Sequence, residues 1–330
     1  MSEEESVLTI SQIYAKGKEK LAAIGYNRVF PPDSSTGISV KANRSYLDSL
    51  FFKTRFFNPA AVDTSLELFG VKLKTPVFCS PMSRFDQLSK TALTDIGKGL
   101  KNAGSLLMIG IGGSPELQSA IDTGVPVIKI IKPYRKMELI YEKLKDAESR
   151  GCVAAGMDID HFYGALRGDT PAMTDLFAPQ NTETLEQLIS TTKLPFIIKG
   201  VLSVSDAEEA VRIGASAIIV STHGSSSVDF ALPSMMALSD IVKAVGSKIT
   251  VFIDTGFKTG NDVLKAVALG AKAVGFASSI LLAWGVGESH GVENLVNQIT
   301  AELSRTMAAT SCANLSAVTS SIIAHGAPPE

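Results

Sequence analysis

A chain of 330 residues that is 45% hydrophobic and 19% charged has ample apolar surface for a sizeable core, which excludes a disordered chain. Its formal net charge of −2 leaves no electrostatic footprint for nucleic acid or an anionic membrane, so any anionic ligand must be held by a local pocket. Three cysteines (Cys79, Cys152, Cys312) without metal-ligand spacing, and four histidines with no H-x-x-x-H pair, argue against a disulfide scaffold or a metal centre and suit a reducing compartment. The acidic start MSEEESVLTISQ lacks the basic and apolar regions of a signal peptide. No apolar stretch approaches the ~20 residues that span a bilayer, and the final APPE is not a peroxisomal address. A soluble, cytoplasmic protein is expected, with no membrane or nucleic-acid partner.

Residues 1–70 read as a helical preamble, with a Pro/Ser/Gly-rich connection from Pro31 to Gly37. Eight short apolar runs then alternate with helical patterns. They are VFCSPM from Val77, SLLMIGI from Ser105, VPVIKII from Val125, CVAAGMDID from Cys152, PFIIKG from Pro195, AIIVS from Ala217, TVFIDTG from Thr250 and AVGFASS from Ala273. Near-continuous apolar character over four to nine residues is how strands buried on both faces of a parallel sheet read. Between them, Ser114-Pro115 opens a helix. SDAEEAVRIG offers Ser205 or Asp206 as caps and Gly214 as the stop, and NDVLKAVALG repeats that pattern up to Gly270. The long gap between Asp160 and Pro195 predicts a lid-like excursion over one end. No G-x-G-x-x-G follows the first run, so a Rossmann fold has little support. Length alone allows one barrel or two domains, but eight strand–helix units predict an α/β chain folded as a single (β/α)8 TIM barrel over residues 1–330. Residues 1–70 precede it, and 71–330 form the barrel and C-terminal helices.

In such a barrel reactive groups sit at the C-terminal ends of the strands. Asp158, Lys199, His223 and Asp254 fall there, after the fourth to seventh runs. A lysine closing PFIIK is unfavourable unless it meets an anion or an acceptor-rich cofactor, or pairs with Asp158 or Asp254. DTGFKTGNDVLKA, from Asp254, sets Gly256 and Gly260 around Lys258 ahead of a helix. That is either a phosphate cradle of backbone amides and one cation, or an ordinary glycine-rich loop.

VSTHGSSSVD (Val220 to Asp229), PSMMAL from Pro233 and VFIDTGFKTGNDVLKAVALGAKAV from Val251 resemble the signature region of FMN-dependent α-hydroxy-acid oxidases and dehydrogenases. That family's pattern is S-N-H-G-[AG]-R-Q-x-D followed by D-G-G-x-R-x-G-x-D-V-x-K-A-x-A-L-G-A. IIKGV, GMDID and ELSRTMAATSCANLSAV extend the likeness, which is close from Pro195 to Val318, diffuse from Arg55 to Asp160 and thin before residue 50. The resemblance implies FMN as cofactor and His223 as the general base, oriented by Asp158. It implies Lys199 at the anionic edge of the flavin, Ser80, Pro81 and Met82 against the flavin, and Asp254, Gly256, Lys258 and Gly260 at the ribityl chain and phosphate. Relatives that form tetramers imply a homo-oligomer.

The departures from the family pattern cluster. The arginine that grips the substrate carboxylate, three residues after the histidine, is Ser226. The Gln-x-Tyr of the third strand is Lys129-Ile130-Ile131, one phosphate arginine is Lys258, and the Gly-Arg after the eighth strand is Ala277-Ser278. A serine cannot replace a bidentate guanidinium. The small-molecule substrate is therefore expected to differ from an ordinary small 2-hydroxy acid, or to be gripped elsewhere, with Lys129, Arg167 and Ser226 as the substrate-side candidates. Two other readings stay open at this point: a flavin-independent isomerase or lyase acting on a phosphorylated ligand, and a non-catalytic ligand-binding relative.

Overall fold

The computed structural model describes residues 8–26, 36–57, 59, 61–162, 176–225 and 227–327. Each of the eight apolar runs supplies one parallel strand: β4 Val77–Met82, β5 Leu106–Ile109, β6 Val127–Ile131, β7 Ala154–Asp158, β8 Phe196–Val201, β9 Ala217–Val220, β10 Thr250–Ile253 and β11 Ala273–Phe276. They follow one another around a closed barrel, and β11 completes the ring against β4 through Val274↔Val77, Gly275↔Phe78 and Phe276↔Cys79. Around them run α3 Ala92–Ala103, α4 Ser114–Ile121, α5 Met137–Ser149, α6 Thr182–Thr191, α7 Val204–Arg212, α8 Ser234–Val245, α9 Gly260–Ala268 and α10 Ser278–Ala309. Among the described residues no helix is long and apolar enough to cross a membrane. The three cysteines are buried free thiols.

The segment ahead of the barrel is more than helical. α1 Ile10–Ala23 starts at a reciprocal cap, with Thr9 Oγ1 accepting from Gln12 N and Gln12 Oε1 accepting from Thr9 N. α2 Ile38–Asp48 and β1 Leu50–Phe52 follow, and β1 pairs antiparallel with β12 Ile323–His325 from the far end of the chain. β2 Leu66–Leu68 and β3 Val71–Leu73 form a hairpin whose Leu66, Leu68 and Leu73 join the residues filling the barrel interior. Phe69 in its turn packs edge-on against Phe252, with ring centroids 6.1 Å apart. The hairpin seals the N-terminal end, leaving the C-terminal end as the mouth. The cap of α7 lies two residues before Ser205 and three before Asp206: Ser203, in extended backbone, accepts from Asp206 N at 3.0 Å, so Ser205 and Asp206 lie in the first turn.

Side chains of a strand alternate between faces. The barrel interior takes Phe78, Leu106, Met108, Ile128, Ile130, Ala154, Ile197, Ala217, Ile219, Phe252 and Ala273. Their neighbours in sequence, such as Val77, Leu107, Ile131, Ala155 and Ile198, pack outward against the helices.

Candidate active site at the barrel mouth

Carrying the inward alternation one step beyond these apolar layers brings Ser80, Lys132, Asp158, Lys199, Ser221 and Asp254 to the top of the barrel. The change from apolar to polar side chains at that step marks the site, because a buried polar group there needs a partner or a ligand.

Asp158, with no exposed surface, is the hub. Its Oδ2 accepts from Lys132 Nζ at 2.7 Å, and its Oδ1 lies 3.0 Å from Lys199 Nζ. Burial pushes the Asp158 carboxyl up, but Lys132 and Lys199 outweigh it and hold the group well below the usual carboxylate range. The two lysines part ways. Burial opposes the charge on Lys199, yet Asp158, Asp254 and Asp160 raise it above the ordinary lysine value. Lys132 is lowered, chiefly by burial; Asp158 offsets part of this and the Lys199 ammonium adds to it. Lys199 Nζ also reaches Ser221 Oγ at 3.1 Å and Asp254 Oδ2 at 3.9 Å.

His223 stands over this network on a turn of left-handed residues: His223, Gly224 and Ser225 have φ of 53°, 67° and 59°. The left-handed region costs a non-glycine residue roughly 1–2 kcal/mol. The turn is held by His223 N donating to Ser221 Oγ at 3.1 Å and Ser225 N donating to Thr222 O at 2.8 Å. It points the imidazole back across the mouth. Nδ1 lies 3.3 Å from Asp160 Oδ1 and 3.6 Å from Asp158 Oδ1, while Nε2 lies 3.1 Å from Lys132 Nζ. Lys199 Nζ also lies 3.4 Å from Nδ1; the two carboxylates there favour a proton on Nδ1, and the Lys132 ammonium favours a lone pair on Nε2. The His161 ring stacks on His223 with centroids 4.8 Å apart and meets Phe177 edge-on at 5.4 Å. Burial, with the Lys132 charge behind it, takes His161 down to about 3, so this ring is a neutral platform. Asp158, Asp160 and His223 bring donor atoms close enough for a metal ion, but the Lys132 and Lys199 ammoniums already hold both oxygens of Asp158.

Beside His223 a cleft of ≈380 Å³ runs from Lys199 to Lys258. Ser80, Pro81, Met82, Asp254, Gly256, Lys258, Ala277 and Ser278 all line it, so the structure brings these expected cofactor residues together. Ser80 Oγ is buried there without a hydrogen-bond partner. Asn43 of α2 fixes the far wall, donating to Thr255 O at 3.0 Å and accepting from Met235 N at 3.2 Å. This holds Thr255 and Gly256 at φ of 84° and 81°. Tyr14 of α1 donates to Lys258 O at 2.5 Å.

Two expected residues lie elsewhere. Lys129, on the outward face of β6, donates to Gly110 O at 2.6 Å and borders a larger cavity of ≈480 Å³ outside the barrel, with residues of α4 and α5; its alternation carries it away from the mouth. Burial lowers its ammonium to about 8. Gly260 starts α9 against α10, where a Cβ would run into the Ile299 carbonyl, and its amide donates to Glu302 Oε2 at 2.6 Å. The neighbouring amide of Lys258 donates to Asp262 Oδ2 at 2.9 Å. Carboxylates of the protein thus occupy amides expected to face a phosphate. Arg167 and Ser226 lie outside the described residues, as does part of the lid-like segment. Lys132, Asp160 and His161 are site residues that sequence reasoning passed over. Lys132 carried a usable signal, since it closes the apolar run VIKII as Lys199 closes its own.

The sequence matches the family described as FMN-dependent dehydrogenase over residues 28–173 and 170–325. Glycolate oxidase 1 of Oryza sativa subsp. indica is 24% identical over 350 aligned positions, covering 95% of this chain and 94% of that one. 2-Hydroxyacid oxidase 2 of Homo sapiens is 44% identical over 137 positions, 41% of this chain and 38% of that one. The fold superposes on mandelate oxidase with benzoyl-formic acid at a TM-score of 0.89 and 26% identity, covering 98% of this chain and 99% of that one. With 3,3-difluoro-2-hydroxy-3-phenylpropionic acid bound, mandelate oxidase gives 0.88 and 26%, covering 97% and 99%. With the barrel, the mouth histidine and the cleft beside it, these matches establish that the chain belongs to the FMN-dependent dehydrogenase family, as an oxidoreductase of the α-hydroxy-acid oxidase type.

Proposed function

We propose that this protein uses FMN in the cleft beside His223 to oxidise a small hydroxylated substrate, with His223 as general base and Asp158 and Asp160 as the carboxylates that orient it. The observation that carries the reading is the imidazole itself: Nδ1 lies within 3.6 Å of two carboxylates, and Nε2 lies 3.1 Å from the Lys132 ammonium. A base so held takes a substrate hydroxyl proton on Nε2, and the resulting imidazolium is stabilised by Asp158 and Asp160. The cleft suits the cofactor. The orphaned Ser80 Oγ offers a hydrogen bond, and Lys258 with the first amides of α10 supplies positive charge at the far end. Bound FMN supplies the acceptor for the two electrons leaving the substrate carbon. Lys199, fully charged at the cleft wall, favours negative charge on whatever lies against it. The substrate differs from that of an enzyme with an arginine three residues past the histidine, because Ser226 stands there.

Residues 1–330 are read as one domain working as a homo-oligomer. Phe230, 73% exposed, stands with Val228, Leu232 and Met236 on an exposed apolar stretch that suits a subunit contact. The test of function is optical. The purified protein, given FMN, is expected to show flavin absorbance that bleaches anaerobically with a 2-hydroxy acid, and His223→Asn is expected to keep the absorbance while bleaching about 10²–10⁴-fold more slowly. A wild-type protein that takes up no FMN overturns the reading.

A further inference from the structure

Among the described residues, the group nearest the working nitrogen of His223 is a cation, and the family's substrate-side arginine has no counterpart in sequence. Lys132 Nζ lies 3.1 Å from Nε2 and 2.7 Å from Asp158 Oδ2. An ammonium on that lone pair caps the base, which cannot accept a substrate proton until the ammonium is drawn off. A substrate oxygen within hydrogen-bond reach of Nε2 also comes within about 6 Å of Nζ, twice a hydrogen-bond length. The two lysines are not equally engaged. Lys199 has Asp158 at 3.0 Å and Asp254 at 3.9 Å, whereas Lys132 has Asp158 as its one carboxylate within ion-pair distance among the described residues. Lys132 therefore retains attraction for a second anion, and Asp158 keeps Lys199 if Lys132 turns toward one.

We propose that Lys132 is the anion site for the substrate and the cap on the base: an incoming carboxylate takes the Lys132 ammonium and thereby frees His223 Nε2. The proposal rests on the base role given to His223 above. In the step that follows, the substrate O–H bond breaks and the Nε2–H bond forms. Lys132 stays protonated; the substrate C–H bond breaks as the carbonyl forms, and bound FMN would accept the two electrons that leave with that hydrogen. The substrate class is a carboxylate-bearing alcohol held by a single point charge rather than a bidentate fork. Such a grip tolerates more than one carboxylate geometry. A neutral analogue leaves the base capped.

The experiment uses calorimetric titration of the FMN-loaded protein with oxalate, a dianion, and oxamide, its uncharged counterpart. Wild type is expected to bind oxalate at least about tenfold more tightly than oxamide, the scale of one charge-assisted hydrogen bond. Lys132→Gln keeps a donor for Asp158 and loses the charge. It is expected to weaken oxalate by about tenfold or more and leave oxamide within about twofold. Lys132→Arg keeps the charge, is expected to retain the oxalate preference, and serves where the glutamine variant does not fold. Equal binding of the two probes by wild type overturns the proposal, as does an oxalate affinity unchanged in Lys132→Gln or a preference lost in Lys132→Arg. Flavin absorbance is read on the same samples. Lys132-dependent oxalate selectivity in protein that holds no FMN supports the anion site and sinks the flavin reading alone.

Discussion

At the scale of single residues, the mouth is a balance of charges in which His161 contributes none. Its ordinary value of 6.5 is brought to about 3 by burial and the nearby Lys132 ammonium. Between those values the unfolded chain binds a proton that the folded chain refuses, so stability falls as pH drops from 6.5 toward 3. At pH 5 that amounts to about 2 kcal/mol. His161→Gln is expected to flatten this part of the profile, measured as the denaturant midpoint of both proteins from pH 7 to pH 5. Equal slopes for the two proteins would count against a buried neutral ring. The same scale shows where sequence reasoning stopped. Lys129 and Lys132 sit three residues apart in one apolar run, and composition does not rank them. The alternation that seats Ile128 and Ile130 inside the barrel sends Lys129 out and Lys132 in. Asp160 and His161 gave less to go on, because they follow the strand and only the path of the chain after Asp158 brings them to His223.

Among the elements, the α9–α10 contact shows how one loop serves packing and site together. Asp262 caps α9, accepts from the Lys258 and Thr259 amides, and binds Arg44 of α2 through Nη1 at 2.9 Å. Glu302 of α10 takes the Gly260 amide and Asn261 Nδ2. Gly260 thus reads as a packing glycine, with no room for a Cβ between the two helices. Gly260→Ala is expected to cost about 1–3 kcal/mol by overpacking, seen in urea unfolding. FMN affinity unchanged beyond about threefold in the folded variant would agree with an amide that binds Glu302 rather than phosphate. The eight barrel strands were legible because a strand buried on both faces must be apolar throughout. The hairpin β2–β3 and the pair β1–β12 were not. Three-residue strands carry too few side chains to show a period, and β1 finds its partner some 270 residues away along the chain.

In the whole molecule, the late strand β12 is tied to the cofactor cleft through β1 and α2. β12 pairs with β1, Gly326 N donates to Ser49 O at 2.9 Å, α2 precedes β1 directly, and Asn43 of α2 holds Thr255 in its left-handed turn. Truncation after Ile322 removes the buried Ile323 and this pairing. It is expected to cost about 2 kcal/mol or more, the scale of losing a buried aliphatic side chain, and to weaken FMN binding through the loosened 254–256 loop. Flavin release on dilution, compared between the full and shortened chains, checks the second part; identical release would sever the proposed link.

By itself the sequence determined the (β/α)8 barrel, the family signature and the strand-end quartet Asp158, Lys199, His223 and Asp254. Each of these is written in local pattern: apolar run length, a motif, a polar residue closing a strand. Only the tertiary structure decided that Lys132 rather than Lys129 enters the mouth, that Gly260 serves packing, and which nitrogen of His223 faces the carboxylates. Those outcomes depend on barrel register and on contacts between segments far apart in sequence, and such distances are set by the closed ring of strands.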